Sequence, residues 1–148
     1  MKNCVGVKGT FSAVLTKKSG ETAEYKKHNM ILDSGFAFMA ACMTASEGRP
    51  APVSKIAVGL DDTASQAAMP GLVDELAARE AIATYNADTK SITVEAYFGG
   101  DVVGAIKEAG VCNDAGIFLD RSTFDVINKG EDDELTVRFI ISLSEVEG

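Results

Sequence analysis

Few residues in this sequence have the type and spacing that catalysis requires. His28 is the only histidine in 148 residues, and it lies in a polar stretch between Lys27 and Asn29. A histidine-based triad would need this one residue, and a zinc site built from several histidines is excluded. A surface or turn position suits His28 better than the role of a base. The sequence contains no phosphate-binding glycine loop and no serine hydrolase elbow.

Acidic residues are the other possible source of chemistry. Asp61 and Asp62 are adjacent, and residues 132–134 form an acidic run, but neither group has the alternate-position oxygen spacing of a calcium loop. Glu95 and Glu108 would suit glycoside hydrolysis if their side chains converged, yet no sequence feature places them together. We therefore interpret the acidic groups as solvated turns, and we expect no enzyme, no catalytic residue, no cofactor and no metal.

Three cysteines complete the inventory of reactive side chains: Cys4, Cys42 and Cys112. They are widely spaced and form no Cys-x-x-Cys pair, which argues against a disulfide framework and a zinc site. Free cysteine is usually buried, so we expect all three to be small apolar core residues.

Charge is distributed unevenly along the chain. The net charge of -8 argues against a nucleic-acid-binding surface. Residues 1–30 nevertheless carry six Lys and two Glu, a net +4, which leaves -12 on residues 31–148. Lys17, Lys18, Lys26 and Lys27 flank a predicted hairpin turn at Ser19-Gly20. Two interpretations stay open: the lysines protect a solvated sheet edge, or this basic edge meets an acidic face of another copy or of a partner.

Hydrophobic patterning indicates the elements that must position these groups. Apolar residues at alternate positions predict strands at residues 91–98 and 135–143. Residues 123–129 show the same spacing, and we expect them to form a hairpin with residues 135–143 around Gly130. A helix is predicted at residues 33–45, with Asp33 or Ser34 as its N-cap.

About eight short strands and one early helix predict a mainly β chain. We expect one domain, residues 1–148, with a β-sandwich fold that is jelly-roll-like or immunoglobulin-like. Neither a secretory signal nor an apolar run near 18 residues is found. The long loop at residues 60–71 is expected to form a contact surface. The predicted core consists of Phe36, Met39, Ile92, Val94, Phe98, Val126, Leu135, Val137, Phe139 and Ile141.

Six segments in a fixed order carry a resemblance to a known group of proteins. They are residues 29–35, 55–59, 72–79, 106–111, 121–129 and 134–139. Their order and spacing resemble the small β-sandwich virion proteins of tailed bacteriophages. Those proteins occur as stand-alone head-decoration (cement) proteins and as attachment segments of tail or collar fibres.

The resemblance implies a structural virion protein, assembled in the host cytoplasm, that binds the major capsid protein or tail proteins. It implies a homo-oligomer and neither a nucleic-acid nor a membrane partner. A fibre normally continues into a long shaft, whereas this sequence ends four residues after Ser144, so we expect head decoration. A tail, collar or baseplate component is the alternative, and a carbohydrate-binding β-sandwich is a more distant one. The candidate contact residues are Lys17, Lys18, Lys26, Lys27, Asp61 and Asp62.

Overall fold

Antiparallel strands make up most of the chain, as the alternating pattern predicts. The computed structural model describes residues 3–44 and 47–147. In chain order the elements are β1 (Asn3–Thr16), β2 (Thr22–Ile31), α1 (Asp33–Cys42), β3 (Val53–Gly59), β4 (Glu75–Asn86), β5 (Ser91–Phe98), β6 (Gly104–Asn113), β7 (Asp120–Lys129) and β8 (Glu134–Glu147).

The eight strands close into a barrel, so the predicted β-sandwich is wrong. The strand order is β1-β2-β7-β6-β3-β4-β5-β8, and β8 returns to β1. Closure depends on β4, since residues 75–80 pair with β3 while residues 81–86 pair with β5. One long strand thus joins what would be two separate sheets in a sandwich. The ring closes between β2 and β7, a junction that we call the seam.

The predicted hairpin between residues 123–129 and 135–143 is also wrong. The two strands exist, but β7 pairs with β2 and β6, whereas β8 pairs with β5 and β1. The connection around Gly130 therefore crosses the end of the barrel. The first hairpin is confirmed, because β1 and β2 pair from Gly9 opposite Asn29 to Thr16 opposite Thr22.

The helix α1 covers one end of the barrel. It begins at Asp33 and ends at Cys42, with Leu32 as N-cap and no side-chain cap; the predicted end at residue 45 lies outside the described residues. Ser34 donates its hydroxyl to the Phe118 carbonyl at 2.6 Å, so this side chain attaches the helix to the barrel. No helix within the described ranges is long and apolar enough to cross a membrane.

The core inside the barrel is built around aromatic rings. Phe11 stacks on Phe124 with ring centroids 4.2 Å apart, and it meets Phe139 edge-on at 5.5 Å. Of the predicted core, six members are buried and two are partly buried against it. The buried ones are Val94, Phe98, Leu135, Val137, Phe139 and Ile141, and the partly buried ones are Ile92 and Met39.

Two predicted core residues, Phe36 and Val126, are exposed. Phe36 lies on the outer side of α1. Val126 follows Phe124 by two residues, but the β6–β7 register shifts between Ile106 and Glu108. A bulge of this kind re-aims the side chains that follow it. As a result Ile127, not Val126, enters the core.

A second apolar layer lies outside the barrel wall. Ala57 of β3 and Cys112 of β6 pack with Leu32, Phe118 and Leu72. Residues 108–113 of β6 are therefore buried on both faces. Their cover includes residues 60–74, which we call the covering loop.

Phe139→Ala should destabilise the protein strongly, because it removes a buried ring that packs edge-on against Phe11. Phe139 is fully buried, and such a truncation typically costs about 3–5 kcal/mol. Chemical denaturation would measure the loss. Val126→Ala, at a 41% exposed position, is the matched control and should cost well under about 1 kcal/mol. Equal losses in the two variants would contradict the register described here.

Candidate functional site

A buried ion pair lies between the barrel wall and the covering loop. Glu108 of β6 and Arg121 of β7 are both fully buried, and Arg121 Nε donates to Glu108 Oε1 at 3.0 Å. The two side chains share the outer face of adjacent strands, where solvent would otherwise reach them. A buried pair of this kind is stable only if its remaining hydrogen-bonding groups are satisfied.

The Glu108 carboxylate is satisfied by backbone amides at both ends of the covering loop. Oε1 accepts from the amide of Val73 at 2.9 Å, and Oε2 accepts from the amides of Asp74 at 2.8 Å and Asp61 at 3.1 Å. Gly59 makes this approach possible, because a Cβ there would lie 2.5 Å from Glu108 Oε2. One carboxylate therefore holds the start and the end of the loop together.

The Arg121 guanidinium binds the first half of the same loop. It donates to the Thr63 carbonyl at 2.6 Å and to the Ser65 hydroxyl at 3.0 Å. Its Nη2 also lies 3.5 Å from Asp61 Oδ1. The five-donor geometry of arginine suits such a set of acceptors. The hydrogen-bonding groups of Glu108 and Arg121 are thus satisfied by the chain itself. The pair orders the covering loop and presents no reactive group to a substrate.

A second buried acid, Asp120, lies at the seam. Its side chain accepts from the amide of Val111 at 2.8 Å and from the Asn29 side-chain amide. Burial raises the pKa of Asp120 to about 7, although these two hydrogen bonds act in the opposite direction. The seam itself is short, because the β2–β7 register covers only Met30 with Arg121 and Ile31 with Asp120.

The predicted lysine contact residues fall into two groups. Lys17 is bound within the chain, since its Nζ lies 3.0 Å from Asp133 Oδ2. Lys18, Lys26 and Lys27 are exposed. The +4 of the N-terminal segment is therefore partly neutralised by the acidic run at residues 132–134, and the basic surface is smaller than the sequence suggests.

Asp61 and Asp62 also differ from each other. Asp61 belongs to the Arg121 network, and its carboxylate accepts from the amide of Thr63 at 2.7 Å. Hydrogen bonds from Thr63 hold the pKa of Asp61 below its usual value. Asp62 is exposed. Of this pair, only Asp62 presents its side chain as a surface contact residue.

The remaining candidates do not converge on a reactive centre. His28 is exposed on β2. Glu95 binds Arg138 on the barrel exterior at 2.7 Å, whereas Glu108 is bound to Arg121 under the covering loop, so these two carboxylates do not act together. Cys112 is buried as predicted, and burial raises its pKa to about 11.

The other two cysteines, Cys4 and Cys42, were also predicted to be core residues. Cys42 is half-buried and free, so its burial is less complete than predicted. The side chain of Cys4 lies outside the described residues.

The end of the β4–β5 hairpin projects from the barrel. We call residues 82–90 the arm. Beyond Glu80, β4 pairs with β5 alone, and residues 82–86 are exposed on both faces of the strand. Ile82 is 75% exposed and Tyr85 is 78% exposed. Apolar side chains on an unpaired strand edge form a ready template for contact with another chain.

The buried network was missed at the sequence level, although one signal pointed towards it. The run Ala109-Gly-Val-Cys112 does not alternate, which is typical of a strand buried on both faces. Glu108 immediately precedes it, so a buried partner for this acid could have been sought. No local signal identifies Arg121 as that partner.

Comparisons of the chain with protein-family models, with curated proteins and with solved structures found no match. Any functional assignment therefore rests on the residues and their geometry. The described residues form an ordered covering loop and an exposed apolar arm.

Arg121→Met should release the covering loop, because Glu108 is then left as an unpaired buried charge. Breaking a buried pair costs about 3–5 kcal/mol. Chemical denaturation would measure the loss, and hydrogen exchange should quicken at the amides of Asp61, Val73 and Asp74. Arg138→Met removes an exposed pair, in which the side chains of Arg138 and Glu95 are 52% and 42% exposed, and should cost about 0–1 kcal/mol. Similar losses in both variants would rule out the anchoring role.

Asp120 should make stability depend on pH with an unusual sign. Its folded pKa of about 7 lies above the unfolded value of about 3.9, so the folded state binds the extra proton. The stabilisation is complete below pH of about 4 and is lost as pH rises through about 7. Denaturation at a series of pH values should show this slope in the parent and not in Asp120→Asn. The exposed control Asp125→Asn should keep the slope, and a slope that survives in Asp120→Asn would refute the assignment to Asp120.

Proposed function

We propose that this chain is a structural virion protein of a tailed phage, which decorates the assembled head and stabilises it without catalysis. The observation that carries the proposal is the arm, a two-sided exposed strand with apolar side chains. Such a segment suits the contact between neighbouring subunits of a lattice better than a site for a soluble substrate. The order of six sequence segments, which resembles that of phage virion proteins, is the reason for choosing this class, although the fold is a barrel and not the sandwich that the resemblance implies.

The arm provides the apolar part of the proposed contact. Ile82 faces outwards from β4, and the free edge of residues 81–86 offers backbone hydrogen bonds to an added strand. Strand addition of this kind joins neighbouring subunits without a deep groove. The major capsid protein and a second copy of this chain are the expected partners.

The exposed lysines provide the polar part. Lys18, Lys26 and Lys27 lie on the first hairpin and are free to meet an acidic patch on a coat protein. Exposed ion pairs contribute about 0–1 kcal/mol each and are screened by salt. They are therefore expected to orient the contact and to make it salt-sensitive.

The proposed stabilisation works by mass action. A protein that binds the assembled shell but not free coat protein adds binding free energy to the assembled state only. Repetition over many equivalent sites multiplies a weak single contact. No reaction is required of the decorating protein.

The test is reconstitution on particles assembled without this protein. Added protein should sediment with heads, and the particles should then retain their DNA to a higher temperature. Ile82→Asn should weaken binding roughly tenfold, as is common for a central apolar contact. Val126→Asn changes an exposed apolar residue outside the arm, and it should bind like the parent.

Two results would overturn the head-decoration role. Unchanged heat resistance of the particles after addition of the protein would exclude a cement function. Labelled protein found on tails and absent from heads would replace it with the tail, collar or baseplate alternative.

A further inference from the structure

A cavity of about 410 Å³ lies at the helix end of the barrel, between α1 and the arm. Its walls are mostly apolar and include Phe38, Met39, Ile92, Leu119, Ile141 and Leu143. Leu119 and Ile141 belong to the buried cluster under α1, so the cavity reaches the core. Its volume lies in the range of about 300–1,000 Å³ that is typical of sites for small molecules.

The charge at this cavity is of one sign. Among the described residues that line it, Lys90 carries the only charged side chain, and no carboxylate is present. The whole chain has a net charge of -8. A lone cation at the rim of an apolar cavity, in an otherwise acidic protein, is complementary to a ligand with an apolar body and one anionic end.

The backbone of Lys90 supplies a second observation. Lys90 has φ of 53°, and within residues 3–44 and 47–147 it is the one non-glycine residue with positive φ. It ends the turn that joins β4 to β5, a position where glycine would adopt the same conformation without strain. Its carbonyl accepts from the Leu143 amide at 2.9 Å, which fixes the residue against β8. Lys90 is thereby held beside β8 at the wall of the cavity.

We propose that this cavity binds a single-chain anionic amphiphile of the fatty-acid class. The aliphatic chain lies against Leu119 and Ile141, and the carboxylate binds the Lys90 ammonium at the rim. The cavity shares Tyr85 and Lys90 with the arm, but the binding proposed here does not require the virion role.

The experiment titrates the full chain with dodecanoate, below its critical micelle concentration, and with dodecyltrimethylammonium as a cationic probe of equal chain length. Isothermal calorimetry gives both affinities, and nuclear Overhauser contacts locate the chain against the methyl groups of Leu119 and Ile141. Dodecanoate should bind at least about tenfold more tightly than the cation, as expected for one charge-assisted hydrogen bond.

Two variants at Lys90 and one remote control separate charge from folding. Lys90→Gln removes the charge and keeps a polar side chain, while Lys90→Gly also removes the Cβ at a position of positive φ. Both should bind dodecanoate roughly tenfold more weakly, and Lys90→Gly should melt at the same temperature as the parent or higher. Lys18→Gln removes a charge at the other end of the barrel and should bind like the parent.

Three outcomes would overturn the proposal. One is equal affinity for the anionic and cationic probes, which would indicate non-specific apolar binding. Another is unchanged dodecanoate affinity in Lys90→Gln. The third is dimerisation of the unliganded protein with the cavity protected from solvent, which would make a second copy the occupant.

Discussion

The hydrogen-bonded ion pair between Glu108 and Arg121 determines how the outer part of this structure is organised. Two charges can leave water only when nearly every donor and acceptor around them is matched. Here the matching groups are backbone amides and carbonyls of the covering loop. The loop is therefore ordered by polar contacts at both ends and by apolar contacts of Met69 and Leu72 in its second half. The ordered loop in turn covers the outer face of β6. That face can be apolar only because the loop shields it from water.

The same principle distinguishes the polar groups that are satisfied within the chain from the surfaces that stay open to partners. Groups satisfied inside the chain, such as Asp61 and Lys17, have little left to offer another molecule. Among the described residues, Lys18, Lys26 and Lys27 of the first hairpin and Ile82 of the arm are exposed to solvent. A protein that uses its buried charges for internal order and exposes apolar strand edges is suited to assembly. This division supports the virion proposal more directly than composition does.

Much of the local structure was predictable from the sequence, and most of the topology was not. Alternation located β5 to the residue, because a half-buried strand must repeat every two positions. It carries no information about which strand is the neighbour, so β7 and β8 were wrongly joined and the barrel was expected to be a sandwich. Val126 was misplaced because a bulge interrupts the period without a sequence marker. The Glu108–Arg121 pair was hidden because it joins residues that local patterns treat separately.

The seam has a consequence for the way in which the barrel opens. β1 and β8 are joined by fourteen residue pairs, whereas β2 and β7 are joined by two. Lys27 lies opposite Phe11 on the inward side of its strand and yet is exposed. Below the seam, β2 pairs with β1 and not with β7. Thermal fluctuations will break the shortest ladder first, and the barrel will unroll there into a curved sheet while β1 and β8 stay together. The fold thus has a built-in order of disassembly that begins at one hairpin.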